Sequence, residues 1–221
     1  MKNVLLSWSS GKDSAWALHV LRHDPSVRIV GLLTTINQQA HRVAMHAVRE
    51  SLLAAQASAL GLPLTKVYIP DPCSNADYER AMTKAIDEAR HRDVDAIAFG
   101  DIFLADIRRY REEKLAPTGI EPIFPLWGAK TADLAREMVA AGLRAIVTSV
   151  DLKQLDSAFA GRVFDQTFLH DLPDDADPCG ENGEFHSFAY AGPMFDPPLT
   201  VALGETLERD GFVFLDVIPS V

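Results

Sequence analysis

Residues 4–18 of the chain read "VLLSWSSGKDSAWAL". Small polar residues interrupt an apolar run, which then resumes at helical spacing. This order predicts a strand, a polar loop and a helix. The loop, Ser9–Ser14, would place unpaired backbone N–H groups, three hydroxyl groups and the Lys12 ammonium at the helix N-terminus. The stretch therefore predicts a phosphate site, in which we expect Lys12 at the surface and of little weight for folding.

Two common phosphate-binding motifs do not fit this loop. The ordinary P-loop requires a glycine five positions before Gly-Lys-Ser/Thr, but Leu6 stands there and Asp13 follows Gly11-Lys12. The dinucleotide fingerprint requires more than the single glycine that is present. The phosphate site is therefore of another kind.

The chain to about residue 151 alternates strand-like and helix-like segments. One such helix is expected over about 42–60, with Met45, Val48, Leu52, Ala55 and Ala59 on its core face and Gly61 at its end. This alternation predicts an α/β fold, a doubly wound parallel sheet with helices on both faces. We expect an ATP-binding domain over 1–151 and a smaller α+β substrate-side subdomain over 152–221.

The second part differs in pattern and charge. Residues 152–165 are expected to be helical, and residues 199–218 to form a hairpin that turns at Asp210-Gly211. No Lys or Arg stands between Arg162 and Arg209, and the net charge of the chain is −10. Such a charge argues against a nucleic-acid partner.

Composition limits the protein class further. No apolar run approaches the roughly 20 residues that a membrane span requires, and the N-terminus does not resemble a signal peptide. The two cysteines, Cys73 and Cys179, show no metal-ligand spacing, and the acidic surroundings of Cys179 disfavour a catalytic thiolate. We expect a soluble cytoplasmic protein without a membrane partner.

The segment SWSSGKDS resembles the PP-loop of the N-type ATP pyrophosphatases, with Ser10 in place of the first glycine of the usual Ser-Gly-Gly motif. That resemblance implies a Rossmann-like sheet of the adenine nucleotide alpha hydrolase (HUP) type. It also implies cleavage of ATP between the α- and β-phosphates. Mg²⁺ is expected as well, because an acidic protein would repel bare ATP.

Three later segments narrow the resemblance to the diphthine–ammonia ligase-like family. They are FGDIFLADIRRYREEKL (99–115), PLW (125–127) and GENGEFHSF (180–188). Asn182 and His186-Ser187 depart from that family's Glu-Gly-Gly-Glu-Phe-Glu-Thr/Ser motif and resemble a bacterial branch tied to cobalamin metabolism. The acceptor is therefore open between diphthine and a cobalamin-related substrate.

Candidate site residues follow from these motifs. Gly100-Asp101 ends the predicted fourth strand, at the edge where open α/β sheets bind ligands. Asp101 would orient a ribose hydroxyl or a metal-bound water, or would only cap the next turn. His46 lies on the polar face of its expected helix, close to where adenine would bind. The expected roles are: catalysis, Lys12, Glu184 and His186; nucleotide binding, Ser9, Ser10, Gly11, Lys12, Asp13, Ser14, His46, Gly100 and Asp101; substrate binding, Arg109, Arg111, Glu181 and Asn182; metal binding, Glu181 and Glu184.

The expected function is an ATP-dependent, AMP-forming ligase. A substrate carboxylate or amide oxygen would be adenylated, pyrophosphate would leave, and ammonia or an amine would displace AMP. Two alternatives stay open: ATP-dependent sulfur transfer, and a nucleotide-binding sensor without catalysis. The oligomeric state is open and includes a homodimer.

Overall fold

The computed structural model of the chain describes residues 1–43 and 48–220. His46 therefore lies outside the described residues. The ten strands of that part are β1 (Lys2–Ser7), β2 (Val27–Asn37), β3 (Arg42–Val43), β4 (Leu64–Ile69), β5 (Ala96–Ala98), β6 (Glu121–Ile123), β7 (Arg144–Asp151), β8 (Phe185–Ala191), β9 (Val201–Arg209) and β10 (Phe212–Pro219). Its α-helices are α1 (Lys12–Arg22), α2 (Glu50–Leu60), α3 (Asn75–Arg90), α4 (Ala105–Leu115), α5 (Thr131–Ala140) and α6 (Gln166–Asp171).

The first sheet confirms the predicted Rossmann-like α/β fold. Five strands pair in parallel in the order β4-β2-β1-β5-β6, and the short β3 pairs antiparallel with the end of β2. Apolar side chains on the two faces form separate cores, one with α1, α2 and α5 and one with α3 and α4. The strand order reverses at β1, since the chain moves first to β2 on one side and later to β5 on the other. Ligands of open α/β sheets bind at the carboxyl ends of strands at such a reversal.

The second sheet is smaller and antiparallel, in the order β8-β7-β10-β9. Its β9–β10 hairpin turns at Asp210 and Gly211, both with positive φ (55° and 82°), as a tight two-residue hairpin turn requires. This confirms the predicted turn. β7, which ends the segment 1–151, belongs to the second sheet. The division of the chain into domains at residue 151 stays a prediction.

Two expected helices are wrong in extent. The helix expected from residue 42 begins only at Glu50, because Arg42 and Arg49 instead form a β-bridge and both bind the Asp216 carboxylate. The segment 152–165 holds only a short 3-10 turn at Ser157–Phe159. Residues 161–164 run beside β7, where Gly161 and Phe164 donate backbone hydrogen bonds to it. Pairing with a neighbouring strand outweighs helical propensity at this place.

Among the described residues, no helix combines the length and the apolar character that a membrane span requires.

Candidate active site

The phosphate loop, Ser9–Ser14, connects β1 to α1 as predicted. Ser10 is fully buried and has a φ of 70°. Its carbonyl oxygen accepts hydrogen bonds from Ala189 N–H (2.9 Å) in β8 and from Gln56 Nε2 (3.0 Å) in α2. The loop is therefore held in one conformation by both parts of the chain.

The N-terminus of α1 offers backbone donors beside this loop. The first N–H groups of any helix have no intrahelical acceptor. Here the Lys12 N–H donates to Ser187 Oγ (3.2 Å) and the Ala15 N–H to the Gly11 carbonyl (3.1 Å). The N–H groups of Asp13 and Ser14 lie between them in the first turn, where a helix N-terminus favours an anion.

Gly100 brings the end of β5 against this turn. A Cβ at position 100 would lie 3.1 Å from the Asp13 carbonyl carbon, 3.2 Å from its oxygen and 3.2 Å from Ser14 N. These are backbone atoms, which cannot rotate away as a flexible side chain can. Because Gly100 has no side chain, the end of β5 can lie directly against the backbone of the first turn of α1.

The GENGEF loop, Gly180–Phe185, lies across the same edge. Together with the phosphate loop and Gly100-Asp101 it lines a cavity of about 240 Å³. The predicted residues that line it are Ser9, Gly11, Lys12, Asp13, Ser14, Gly100, Asp101, Arg111, Glu181 and His186. The structure thus brings together two motifs that lie about 170 residues apart in the sequence.

Lys12 is buried, with only 2% of its surface exposed, so the expected surface position is wrong. Its ammonium donates to Asp13 Oδ2 (2.9 Å) and to the Cys179 carbonyl. It also lies 5.1 Å from the centre of the Phe185 ring. Burial alone would lower the pKa of Lys12, but Asp13 and other acidic groups outweigh it and hold that pKa above its usual value. Lys12 therefore carries a fixed positive charge that joins the two loops.

Glu181 is half-buried between the two loops. The Ile102 N–H donates to its Oε1 (2.9 Å). Burial raises the pKa of Glu181 to about 7, and the negative charges of Asp13 and Asp101 act in the same direction. Its carboxyl can therefore gain or lose a proton near neutral pH.

Glu184 is 1% exposed and holds the GENGEF loop together. Its Oε1 accepts from Asp177 N–H (2.8 Å) and Asn182 Nδ2 (3.1 Å), and its Oε2 from Asn182 N–H (3.0 Å). Both carboxylate oxygens are thus occupied within the loop. These hydrogen bonds suit a structural role for Glu184 better than the expected catalytic and metal-binding roles. Asn182, as its hydrogen-bond donor, shares that structural role.

His186 lines the cavity at the start of β8. Burial lowers its pKa to about 4, and the Lys12 charge adds to this effect. The imidazole is therefore neutral at physiological pH.

The two candidate arginines differ in position. Arg111 Nε lies 2.7 Å from Asp101 Oδ2, and its guanidinium covers the Phe99 ring at 4.2 Å. Arg109 pairs with exposed Asp106 at the surface of α4 and does not line the cavity. The structure thus supports a place at the site for Arg111 and Asp101 but not for Arg109.

A second, larger cavity of about 570 Å³ adjoins the first. It runs between α3 and α4 over the sheet, and we call it the α3–α4 groove. The two cavities share Ser7, Ser9, Phe99 and Arg111 as lining residues. Together they give room for a ligand that extends from the phosphate loop along the sheet.

The acidic groups of the site offer few ligands for a metal ion. No group of three or more His, Cys, Asp or Glu side chains with metal-binding geometry occurs in the described part of the chain. Mg²⁺ bound to ATP needs only one or two protein carboxylates, because phosphates and water supply the rest. Asp13 fits this demand, since its buried Oδ1 has no hydrogen-bond partner among the described residues.

Gln56 is a site-supporting residue that sequence reasoning missed. It is fully buried and accepts from Trp8 Nε1 (2.9 Å), while its Nε2 donates to the carbonyls of Ser10 (3.0 Å) and Ala189 (2.6 Å). The predicted core face of α2 included Ala55, which is exposed. The available signal was a lone amide between Leu52, Leu53 and Leu60 on an apolar helix face.

Cys179 is buried, and burial raises the pKa of its thiol far above the usual value. The thiol therefore stays protonated, in agreement with the expectation that Cys179 is not a nucleophile.

The chain is similar to known proteins along most of its length. A family model described as "Diphthamide synthase N-terminal domain" matches residues 1–120, and one described as "Diphthamide synthase C-terminal domain" matches residues 130–216. A diphthine–ammonia ligase of Danio rerio is 29% identical over 182 residues, which cover 73% of this chain and 69% of that protein. Those of Homo sapiens and Bos taurus are 29% identical over 131 residues, 57% of this chain and 49% of each relative. This chain therefore aligns with about half the length of these two mammalian relatives. Because the two family models together match most of the sequence, the chain belongs to the diphthine–ammonia ligase-like family.

Proposed function

We propose that this chain is an ATP-dependent ligase that cleaves ATP to AMP and pyrophosphate and forms a C–N bond. The observation that carries the proposal is the single cavity shared by the phosphate loop and the GENGEF loop. The first loop offers helix N-terminal donors to phosphate, and the second brings Glu181 and His186 to the same space. The curated relatives, named diphthine–ammonia ligases, support the same reaction class.

In the proposed reaction an acceptor carboxylate attacks the α-phosphorus of ATP, pyrophosphate leaves, and ammonia then displaces AMP from the adenylated acid. The N–H groups of Asp13 and Ser14 would bind the departing pyrophosphate, with the buried Lys12 charge behind them. Asp13 Oδ1 would hold Mg²⁺, which neutralises phosphate charge when bound. The chain's contribution is mainly the positioning of reactants and fixed charges, which account for most of the rate gain in phosphoryl chemistry.

Glu181 is the proposed base of the second step. A carboxylate with a pKa of about 7 can take a proton from ammonium at neutral pH and so supply the nucleophile NH₃. Neutral His186 would then accept or donate a hydrogen bond without adding charge. Because Asn182 and His186 depart from the ligase motif, the proposed acceptor is a carboxylic acid and not diphthine itself.

The test is pyrophosphate release from Mg·ATP with ammonium chloride and a panel of carboxylic acids. We expect release only when acid and ATP are both present. Lys12→Met should abolish it, whereas Lys130→Met, which removes an exposed lysine outside both cavities, should not. ATP binding without pyrophosphate for any acid would favour a sensor, and release dependent on a sulfur donor would favour sulfur transfer.

A further inference from the structure

The α3–α4 groove is larger and more apolar than a phosphate site requires. Its floor includes Leu33 of β2, Ile97 of β5 and Phe99, which directly follows β5. Its walls include Met82 of α3 and Leu115 of α4. Over it, Lys114 Nζ of α4 lies 2.6 Å from Glu79 Oε1 of α3, an ion pair that spans the two helices. An open space with such a floor suits an apolar or aromatic body.

The positive charge of Arg111 lies where the α3–α4 groove meets the cavity at the phosphate loop. Arg111 lines both spaces, with its guanidinium packed on Phe99 and paired with Asp101. An anionic group placed beside Arg111 would lie next to the phosphates, while the rest of the same molecule extended into the groove. Such a junction matches a carboxylic acid that carries an apolar body.

We infer that the part of the groove lined by Tyr78, Met82 and Tyr110 receives the apolar or aromatic body of the acceptor carboxylate. This inference rests on the proposed ligase function and narrows its substrate class. Acids without such a body would be poor acceptors, since they would leave the apolar floor exposed to water.

Exposed apolar residues favour the acceptor over the nucleoside of ATP as the occupant. Tyr110 lines the groove and is 40% exposed, and Ile107, one helical turn before it, is 41% exposed. Phe103, just before α4, is 39% exposed. Of these three residues only Tyr110 lines the groove, so the groove opens to the surface beside an exposed aromatic side chain. An acceptor larger than a nucleoside would use this opening. Thr35 and Val43 line another part of the groove, which is left for the adenosine.

The experiment measures KM for acetate, phenylacetate and indole-3-acetate in pyrophosphate release by the full chain with Mg·ATP and ammonium. KM should fall about tenfold or more from acetate to indole-3-acetate. Met82→Trp fills the groove and should return the KM of indole-3-acetate to the acetate level without changing KM for ATP. Met82→Leu, which nearly conserves volume, and Lys84→Trp, on the exposed side of α3, should behave like wild type. Thermal melting of each variant shows that it is folded.

Three kinetic results would overturn the inference: no dependence of KM on the acid's body, an unchanged acid KM in Met82→Trp, or a raised KM for ATP in that variant. The last would assign this part of the groove to the nucleoside. If wild type releases no pyrophosphate with any acid, the proposed function fails, and binding decides the inference separately. Saturation-transfer NMR should then show indole-3-acetate bound to wild type and not to Met82→Trp, and absence of binding to wild type would refute it.

Discussion

Lys12 is expected to contribute both to the stability of the fold and to catalysis. Its ammonium reaches Asp13 and the Cys179 carbonyl, so one side chain connects the N-terminal loop to the segment before the GENGEF loop. Removing one partner of a buried ion pair leaves the other charge uncompensated, and this costs more than the loss of a surface pair. Its contribution to stability therefore has to be measured separately from its contribution to catalysis.

We expect Lys12→Met to lower the free energy of unfolding by about 2 kcal/mol, because the Asp13 carboxylate then lacks its partner. The Asp13 side chain is partly exposed to the cavity, and this limits the free-energy cost of leaving its charge unpaired. Urea denaturation at pH 7 measures it. Adding Asp13→Asn should restore about half of the loss without restoring pyrophosphate release. A single variant as stable as wild type would show that the pair adds nothing to folding.

The raised pKa of Glu181 predicts that the free energy of unfolding depends on pH. Its pKa is about 7 when folded and near 4.5 when unfolded, so the folded chain holds the proton more tightly. The contribution of Glu181 to the free energy of unfolding is fully present below pH 4.5 and is lost as the pH rises to about 7. Glu181→Gln should therefore be more stable than wild type by about 1–2 kcal/mol at pH 8, after allowance for partial exposure, and nearly equal at pH 4.5. Urea denaturation at both pH values decides, and a constant difference between them would contradict the assignment.

At the scale of elements, the end of β5 and the first turn of α1 form the edge of the site. Gly100→Ala should push these elements apart, lower the free energy of unfolding by about 1–3 kcal/mol and abolish pyrophosphate release. Gly31→Ala is the matched control, since its Cβ would lie 3.1 Å from the Pro63 carbonyl oxygen, away from the site. That variant should lose similar stability but keep its activity. Equal activity in both folded variants would refute the role of the close approach at Gly100.

The elements near the phosphate loop could be predicted because local patterns decide them. The strand–loop–helix at residues 4–18 and the turn at Asp210-Gly211 each follow from neighbours in the sequence. The helix expected from residue 42 failed because Arg42 and Arg49 bind Asp216, a partner more than 160 residues away. Residues 161–164 likewise pair with β7 instead of forming a helix. Long-range pairing of this kind leaves no local signal.

The site residues likewise differ in how well local sequence predicts their positions. The phosphate loop follows from its motif, whereas the burial of Lys12 and the Gln56 hydrogen bonds depend on how β8 packs over the loop. Glu184 was expected to act on ligands because it is a carboxylate in a glycine-rich loop. Its hydrogen bonds to Asp177 and Asn182 are set by the loop's own fold, which composition alone does not show.

In the whole molecule, residues from both sheets line one cavity. The parallel sheet supplies the phosphate loop at its strand-order reversal, and the antiparallel sheet supplies β8 and the GENGEF loop that cover it. Neither sheet alone contains the cavity. Nucleotide and acceptor chemistry would therefore meet at the boundary between the two parts, with Gln56 and Lys12 holding that boundary together.

The bond of ATP that is cleaved distinguishes the proposed ligase reaction from other uses of ATP. ³¹P NMR of Mg·ATP incubated with the protein, ammonium and indole-3-acetate should show AMP and pyrophosphate growing in equal amounts, dependent on the acid. Lys12→Met should leave ATP intact. ADP and inorganic phosphate as products would contradict the account, because the bond broken would then lie between the β- and γ-phosphates.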